Sequence, residues 1–177
     1  MASHGDIVEI LARFPGPVTL YSSRKKWLLI FGISAAFVVV GYWMIQDDEW
    51  MGWPGLLFFG LGALVAAAML LPGAGALSLD REGFEATTLF RRHRTRWRNA
   101  SSFDVWEMKP PQIWSPKSLQ KLLPKNVVFD DSEPKSGRMA AANIAICGHT
   151  SGLPDTYGLS AEALAQLMTQ WRERALR

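Results

Sequence analysis

Two stretches of this chain carry no charged side chain. The first is "WLLIFGISAAFVVVGYWMI", Trp27 to Ile45, and the second runs from Met51 to Leu79, after Asp47, Asp48 and Glu49. Apolar residues fall on every face of a helix drawn through either run, a pattern suited to lipid rather than to one side of a soluble core. A helix rises about 1.5 Å per residue and the hydrocarbon layer is about 30 Å thick, so each run is long enough to cross it. The second run is usable from Trp53 to Leu71, where Pro72 stops it. Pro54 falls in its first turn, where a missing N–H costs little. Trp27, Tyr42, Trp43, Trp50 and Trp53 lie near the ends of the two runs, at headgroup level. Gly32 with Ala36, and Ala63 with Ala67, give the small-residue spacing that lets membrane helices approach. A pair of buried core helices is the competing reading. A cleaved signal peptide fits less well: the "AGA" at Ala74–Ala76 follows a run preceded by acids rather than bases.

Outside the hairpin the pattern changes to short elements. Ile7, Ile10, Leu11 and Phe14 fall at helical spacing, with Ser3 and Asp6 resembling a capping box. Pro15-Gly16-Pro17 ends this helix, which is expected at the membrane surface or against the polar block. Val18–Tyr21 reads as a strand. "ALSLD", a turn around Gly83, and "FEATTLF" with Phe84, Ala86, Thr88 and Phe90 in phase predict a hairpin. A second turn is expected within "RRHRT", then strands at Phe103–Met108 and "VVFDD", with a helical turn at Ser118–Leu123 between them. "GRMAAANIAICG" is readable as helix or strand. The last helix is the clearest: Ser160 is its N-cap, Leu159 and Leu164 are placed for a hydrophobic staple, and Leu164, Leu167, Met168 and Trp171 form its apolar stripe.

Charge adds orientation. The 177 residues carry a formal net charge of only +3, but the bases are segregated. Arg24, Lys25 and Lys26 precede the first span, the connecting loop has only acids, and Arg81 with Arg91–Arg98 follows the second span. The positive-inside rule then places both termini in the cytoplasm of an inner-membrane, multi-pass protein. Arg91, Arg92, Arg94, Arg96 and Arg98 are candidates for binding anionic headgroups, each worth about 1 kcal/mol near such a surface. The turn within "RRHRT" would put Arg91–Arg94 at a hairpin tip and Arg96 with Arg98 on one strand face, Trp97 pointing inward. One unbroken strand would instead align Arg92, Arg94, Arg96 and Arg98. A solvated basic hairpin that only reports topology is the plain alternative. Nucleic acid is disfavoured, because Trp97 alone interleaves the arginines.

Little else suggests chemistry. No P-loop or G-x-G-x-x-G is present, and His4, His93 and His149 are scattered, so no metal or cofactor is expected. The single cysteine, Cys147, lies two residues before His149; a membrane-anchored hydrolase or thiol enzyme built on this pair is the alternative to a non-catalytic protein. Asp130, Asp131 and Glu133 read as a solvated turn. "LPDTYG" reads as structural, with Pro154 and Asp155 shaping a turn and Tyr157 packing before the helix.

The hairpin, "LSLDREGFEATTLFRRHRTRWRNASSFDVWE" and "GLPDTYGLSAEALAQLMTQWRERA" together resemble a family of uncharacterised bacterial membrane proteins whose cytoplasmic domain is similar to pleckstrin-homology (PH) domains. The likeness is most specific over Leu153–Arg174; the segment Pro110–Lys125 departs from a minimal PH pattern. It implies architecture, not activity. The expected fold is therefore α+β: an N-terminal segment (1–24), a two-helix transmembrane hairpin (25–75), and a PH-like small β-barrel or sheet (76–177) capped by the C-terminal amphipathic helix. The expected function is a non-catalytic, membrane-anchored interaction module. Its partners are the bilayer, through anionic headgroups, or a protein docked by the hairpin or the PH-like domain.

Overall fold

The structure is a computed structural model that describes residues 4–107, 125–133 and 137–177. The helical turn expected at Ser118–Leu123 and the capping residue Ser3 lie outside the described residues. The chain forms two compact units: Tyr21–Ala76 with Thr87–Arg91, and Met1–Leu20 with Leu77–Ala86 and Arg92–Arg177.

The first unit is built on two long helices, α2 (Arg24–Gln46) and α3 (Gly52–Leu70), which follow the short N-terminal helix α1 (His4–Ala12). Both are long and apolar enough to cross a membrane, and each presents most of its apolar side chains outward, including Leu29, Val40, Leu57, Phe58 and Leu64. A soluble core helix would bury such residues; lipid removes the penalty for exposing them. Of the expected small-residue pairs, Gly32 with Ala36 does not bring the helices together. A Cβ on Gly32 would meet nothing within 4 Å, and Ala36 is exposed. Close packing runs instead through Gly41 and Gly52, with Ser34 opposite Gly62 and Ala66 fully buried.

The second unit holds most of the polar block, Tyr21, Gly75, Ala76 and Thr87–Arg91 being grouped with the long helices. A four-stranded sheet has the order β1 (Val18–Tyr21), β2 (Gly75–Leu79), β3 (Gly83–Thr88), β4 (Arg91–Arg96). A separate three-stranded sheet has the order β5 (Ala100–Glu107), β6 (Lys125–Asp131), β7 (Ser151–Gly152). β5 and β6 run antiparallel, Phe103 opposite Phe129 and Val105 opposite Val127, with an irregularity between Ala100 and Phe103. Among the described residues the two sheets do not close into a barrel. The ambiguous segment before β7 is helical, α4 (Gly137–Cys147), and the last helix, α5, spans Ala161–Ala175.

The core of this unit gathers Leu77, Leu79, Phe84, Trp97, Phe103, Phe129, Leu164, Leu167, Met168 and Trp171. The N-terminal segment belongs to it: Ile7, Leu11 and Val18 are buried in the same cluster, and the Phe14 ring meets Trp171 edge-on at 5.4 Å. The carbonyl of Asp80 accepts both buried indole N–H groups, from Trp97 at 2.9 Å and Trp171 at 3.0 Å. This satisfies two donors that would otherwise be costly inside a core. Arg172 donates to the carbonyls of Trp97 and Ala100, and Arg174 to the carbonyl of Leu11. The arginines that end the chain therefore bind backbone as well as suiting the helix C-terminus.

Ser160 caps α5 as its sequence demands, its Oγ accepting the Ala163 N–H at 3.1 Å. Ser160→Ala should cost about 1 kcal/mol of stability. Thermal denaturation of the full chain in mild detergent checks this, with Ser160→Thr recovering most of the loss.

Candidate basic site

The arginine-rich segment is a strand, and its turn lies elsewhere than the sequence indicates. β3 and β4 are joined at Leu89 and Phe90, which have φ of 47° and 64°. Tight hairpins need positive φ at their two central residues, so the turn falls there although neither residue is the asparagine or glycine that normally marks one. Phe90, in phase with Phe84 and Ala86 by alternation, thus lies outside the core. Arg91 to Arg96 then form one strand, not a tip. Thr95 points inward and is buried, whereas Arg92, Arg94 and Arg96 are exposed. Immediately after the strand Trp97 is buried, its N–H bonded to the Glu82 carbonyl at 3.2 Å, and Arg98 occupies the turn before β5. Trp97 pins the position of both its neighbours.

The five arginines differ in how they are held. Arg94 bonds Asp80 at 2.9 Å and Glu82 at 3.2 Å. Asp80 also accepts the backbone N–H groups of Glu82 and Gly83 at 2.8 Å each, so Arg94 serves the β2–β3 turn. Arg92 sits 3.7 Å from Glu85. Arg91, Arg96 and Arg98 make no ion pair among the described residues. Arg96 and Arg98 instead line an open groove of about 620 Å³ together with Arg81, Glu82 and the C-terminal Leu176. Sequence reasoning used Arg81 only as a marker of sidedness. Its place in the "DREG" turn, opposite the strand that ends at Arg96, brings it to the groove, and only strand pairing reveals that. A smaller groove of about 350 Å³ beside it mixes Arg94 and Arg96 with Asp131 and Glu133. It is less suited to an anion.

The residues considered for catalysis have other partners. Cys147 ends α4, and its thiol donates to the carbonyl of Asn143 at 3.1 Å and of His149 at 3.8 Å. The His149 imidazole faces Asp130 at 3.2 Å, and the other oxygen of Asp130 accepts the Thr150 N–H at 2.9 Å. The imidazole is thus oriented toward a carboxylate that also organises a loop, and the thiol toward main-chain carbonyls. Asp131 is buried and accepts the Glu133 N–H, while Glu133 accepts from Asn99. Among the described residues no three His, Cys, Asp or Glu side chains are grouped to hold a metal ion. Tyr157 is buried at the end of "LPDTY", and burial together with the negative charge of Asp155 pushes its hydroxyl well above the usual tyrosine range. Lys125 bridges Glu107 and Glu162, its ammonium drawing the Glu162 carboxyl below its ordinary value.

No protein-family model matches the chain, and no curated protein or solved structure matches it.

Proposed function

We propose that this protein is a non-catalytic, membrane-anchored interaction module whose basic groove docks anionic lipid headgroups at the cytoplasmic face of the inner membrane. The observation that carries the reading is the groove of Arg81, Arg96 and Arg98, exposed side chains without carboxylate pairing at Arg96 and Arg98, in a chain with two membrane-length apolar helices. A guanidinium fork matches a phosphodiester in geometry as well as charge. The nearest abundant source of that group for a tethered domain is the leaflet itself. The base-free loop between the spans and the bases on either side support cytoplasmic termini. A protein partner with an acidic segment would use the same groove.

Replacing Arg81, Arg96 and Arg98 with glutamine in the full chain tests it. Native mass spectrometry from detergent supplemented with phosphatidylglycerol or phosphatidylcholine should find phosphatidylglycerol preferentially retained by the parent chain. The variant should lose that preference on the order of a hundredfold, since each of the three arginines contributes about 1 kcal/mol and about 1.4 kcal/mol is tenfold. Equal retention of the two lipids by the parent chain would refute headgroup docking.

A further inference from the structure

We infer that the β3–β4 turn is a membrane wedge: Leu89 and Phe90 insert into the cytoplasmic interface while Arg91 and Arg92 engage lipid phosphates. The inference rests on the membrane-anchored reading above and adds a second, apolar contact that the groove does not use. Three observations carry it. Leu89 and Phe90 are 40% and 56% exposed at the apex of a hairpin, where solvent alone would favour small polar residues. Both adopt positive φ, 47° and 64°, a conformation that bulky side chains rarely hold. The segment Thr87–Arg91 also belongs to the same compact unit as α2 and α3, the two apolar helices.

The order of residues suits an interface. Two large apolar side chains at the apex are followed at once by two exposed guanidinium groups, of which Arg91 has no ion pair among the described residues and Arg92 has Glu85 only at 3.7 Å. Apolar side chains gain from the acyl boundary, and arginine stems let the charged ends remain at phosphate level. The occupant indicated is therefore a lipid surface: the apex supplies the apolar contact, the arginines supply charge complementary to anionic headgroups, and the tip continues a unit already built for lipid.

The test places a nitroxide at the apex of the full chain. In a Cys147→Ala background, Phe90→Cys is spin-labelled and reconstituted into vesicles of phosphatidylcholine and phosphatidylglycerol. Ser102→Cys, an exposed position on β5, serves as the aqueous reference. Power saturation with oxygen and with a water-soluble nickel chelate should show position 90 open to oxygen and closed to nickel, with the reverse at position 102. Leu89→Cys should repeat the result from the adjacent residue. A label at position 90 as open to nickel as the reference overturns the wedge. So does one closed to both reagents, which would mean burial in protein. These outcomes are separable from failure of groove docking, because lipid retention by the Arg81, Arg96, Arg98 variant is read independently. An inserted apex with no phosphatidylglycerol preference would sustain insertion of Leu89 and Phe90, and would refute both the groove and a preference of Arg91 and Arg92 for anionic headgroups.

Discussion

Trp97→Ala is expected to destabilise the polar unit by about 3–5 kcal/mol, the range for deleting a large buried aromatic side chain. Trp97 is 1% exposed, packs against Phe84 and Phe103 with ring centroids 5.2 and 6.3 Å away, and donates its indole N–H to Asp80. Its removal leaves a cavity where the two sheets and α5 supply side chains to one core. It also frees the backbone between Arg96 and Arg98, so the groove should weaken with the core. Far-UV circular dichroism of the full chain in mild detergent should record a fall of more than about 10 °C in the transition of this unit. Trp97→Phe separates packing from hydrogen bonding. It keeps an aromatic ring and loses one indole donor, and the Asp80 carbonyl retains its bond from Trp171. Its cost should be nearer that of one hydrogen bond plus a small cavity, about 1–2 kcal/mol. A Trp97→Ala chain that melts with the parent would show that Trp97 is not the anchor of this core.

Gly52→Leu is expected to open the helical hairpin. A Cβ at position 52 would lie 2.7 Å from the Gly41 carbonyl oxygen, 2.7 Å from the Ile45 side chain and 2.9 Å from the Ile45 nitrogen. Two of these obstacles are backbone, so no rotamer change relieves them, and the helices must separate at the crossing. Overpacking of this kind costs about 1–3 kcal/mol. The effect can be read well away from the substitution. A Cβ on Gly62 would stand 3.4 Å from the Ser34 hydroxyl, so Ser34→Cys with Gly62→Cys should oxidise readily to a disulfide in a Cys147→Ala chain. Position 62 lies about 15 Å along α3 from position 52. Adding Gly52→Leu should slow disulfide formation on the order of tenfold, the factor that corresponds to about 1.4 kcal/mol. Gly32→Leu is the control: its Cβ would meet nothing within 4 Å, and crosslinking should be unchanged. Equal rates for the Gly52 and Gly32 variants would contradict the packing described.

Much of this architecture is legible in the residues. The first apolar run and the usable part of the second, Trp53–Leu71, differ from their observed helices by only a few residues at either end, because length and lack of charge are properties of the sequence itself. The α5 helix is legible for the same reason, with its N-cap, apolar stripe and terminal arginines all local. Less visible were the N-terminal segment's place in the polar core and the turn at Leu89–Phe90. The first depends on a contact between Leu11 and Arg174, residues at opposite ends of the chain. The second violates the usual turn chemistry, and alternation alone extended β3 through Phe90 and moved the turn into the arginines.

The basic site divides along the same line. Sequence by itself determined that five arginines concentrate after the second apolar run, that Trp97 among them would be a core residue, and that the bases flank the hairpin while the acids sit in its loop. These are local composition and order, which folding cannot change. Only the tertiary structure decided that Arg94 is tied to Asp80 and Glu82, that Arg96 and Arg98 share a groove with Arg81, and that Leu89 and Phe90 are left outside. Strand register and turn position determine which side chains meet. They are fixed by burying Trp97, Phe84 and Trp171 together, a cooperative requirement set by residues up to ninety-one positions apart, as the bond from Trp171 to Asp80 records.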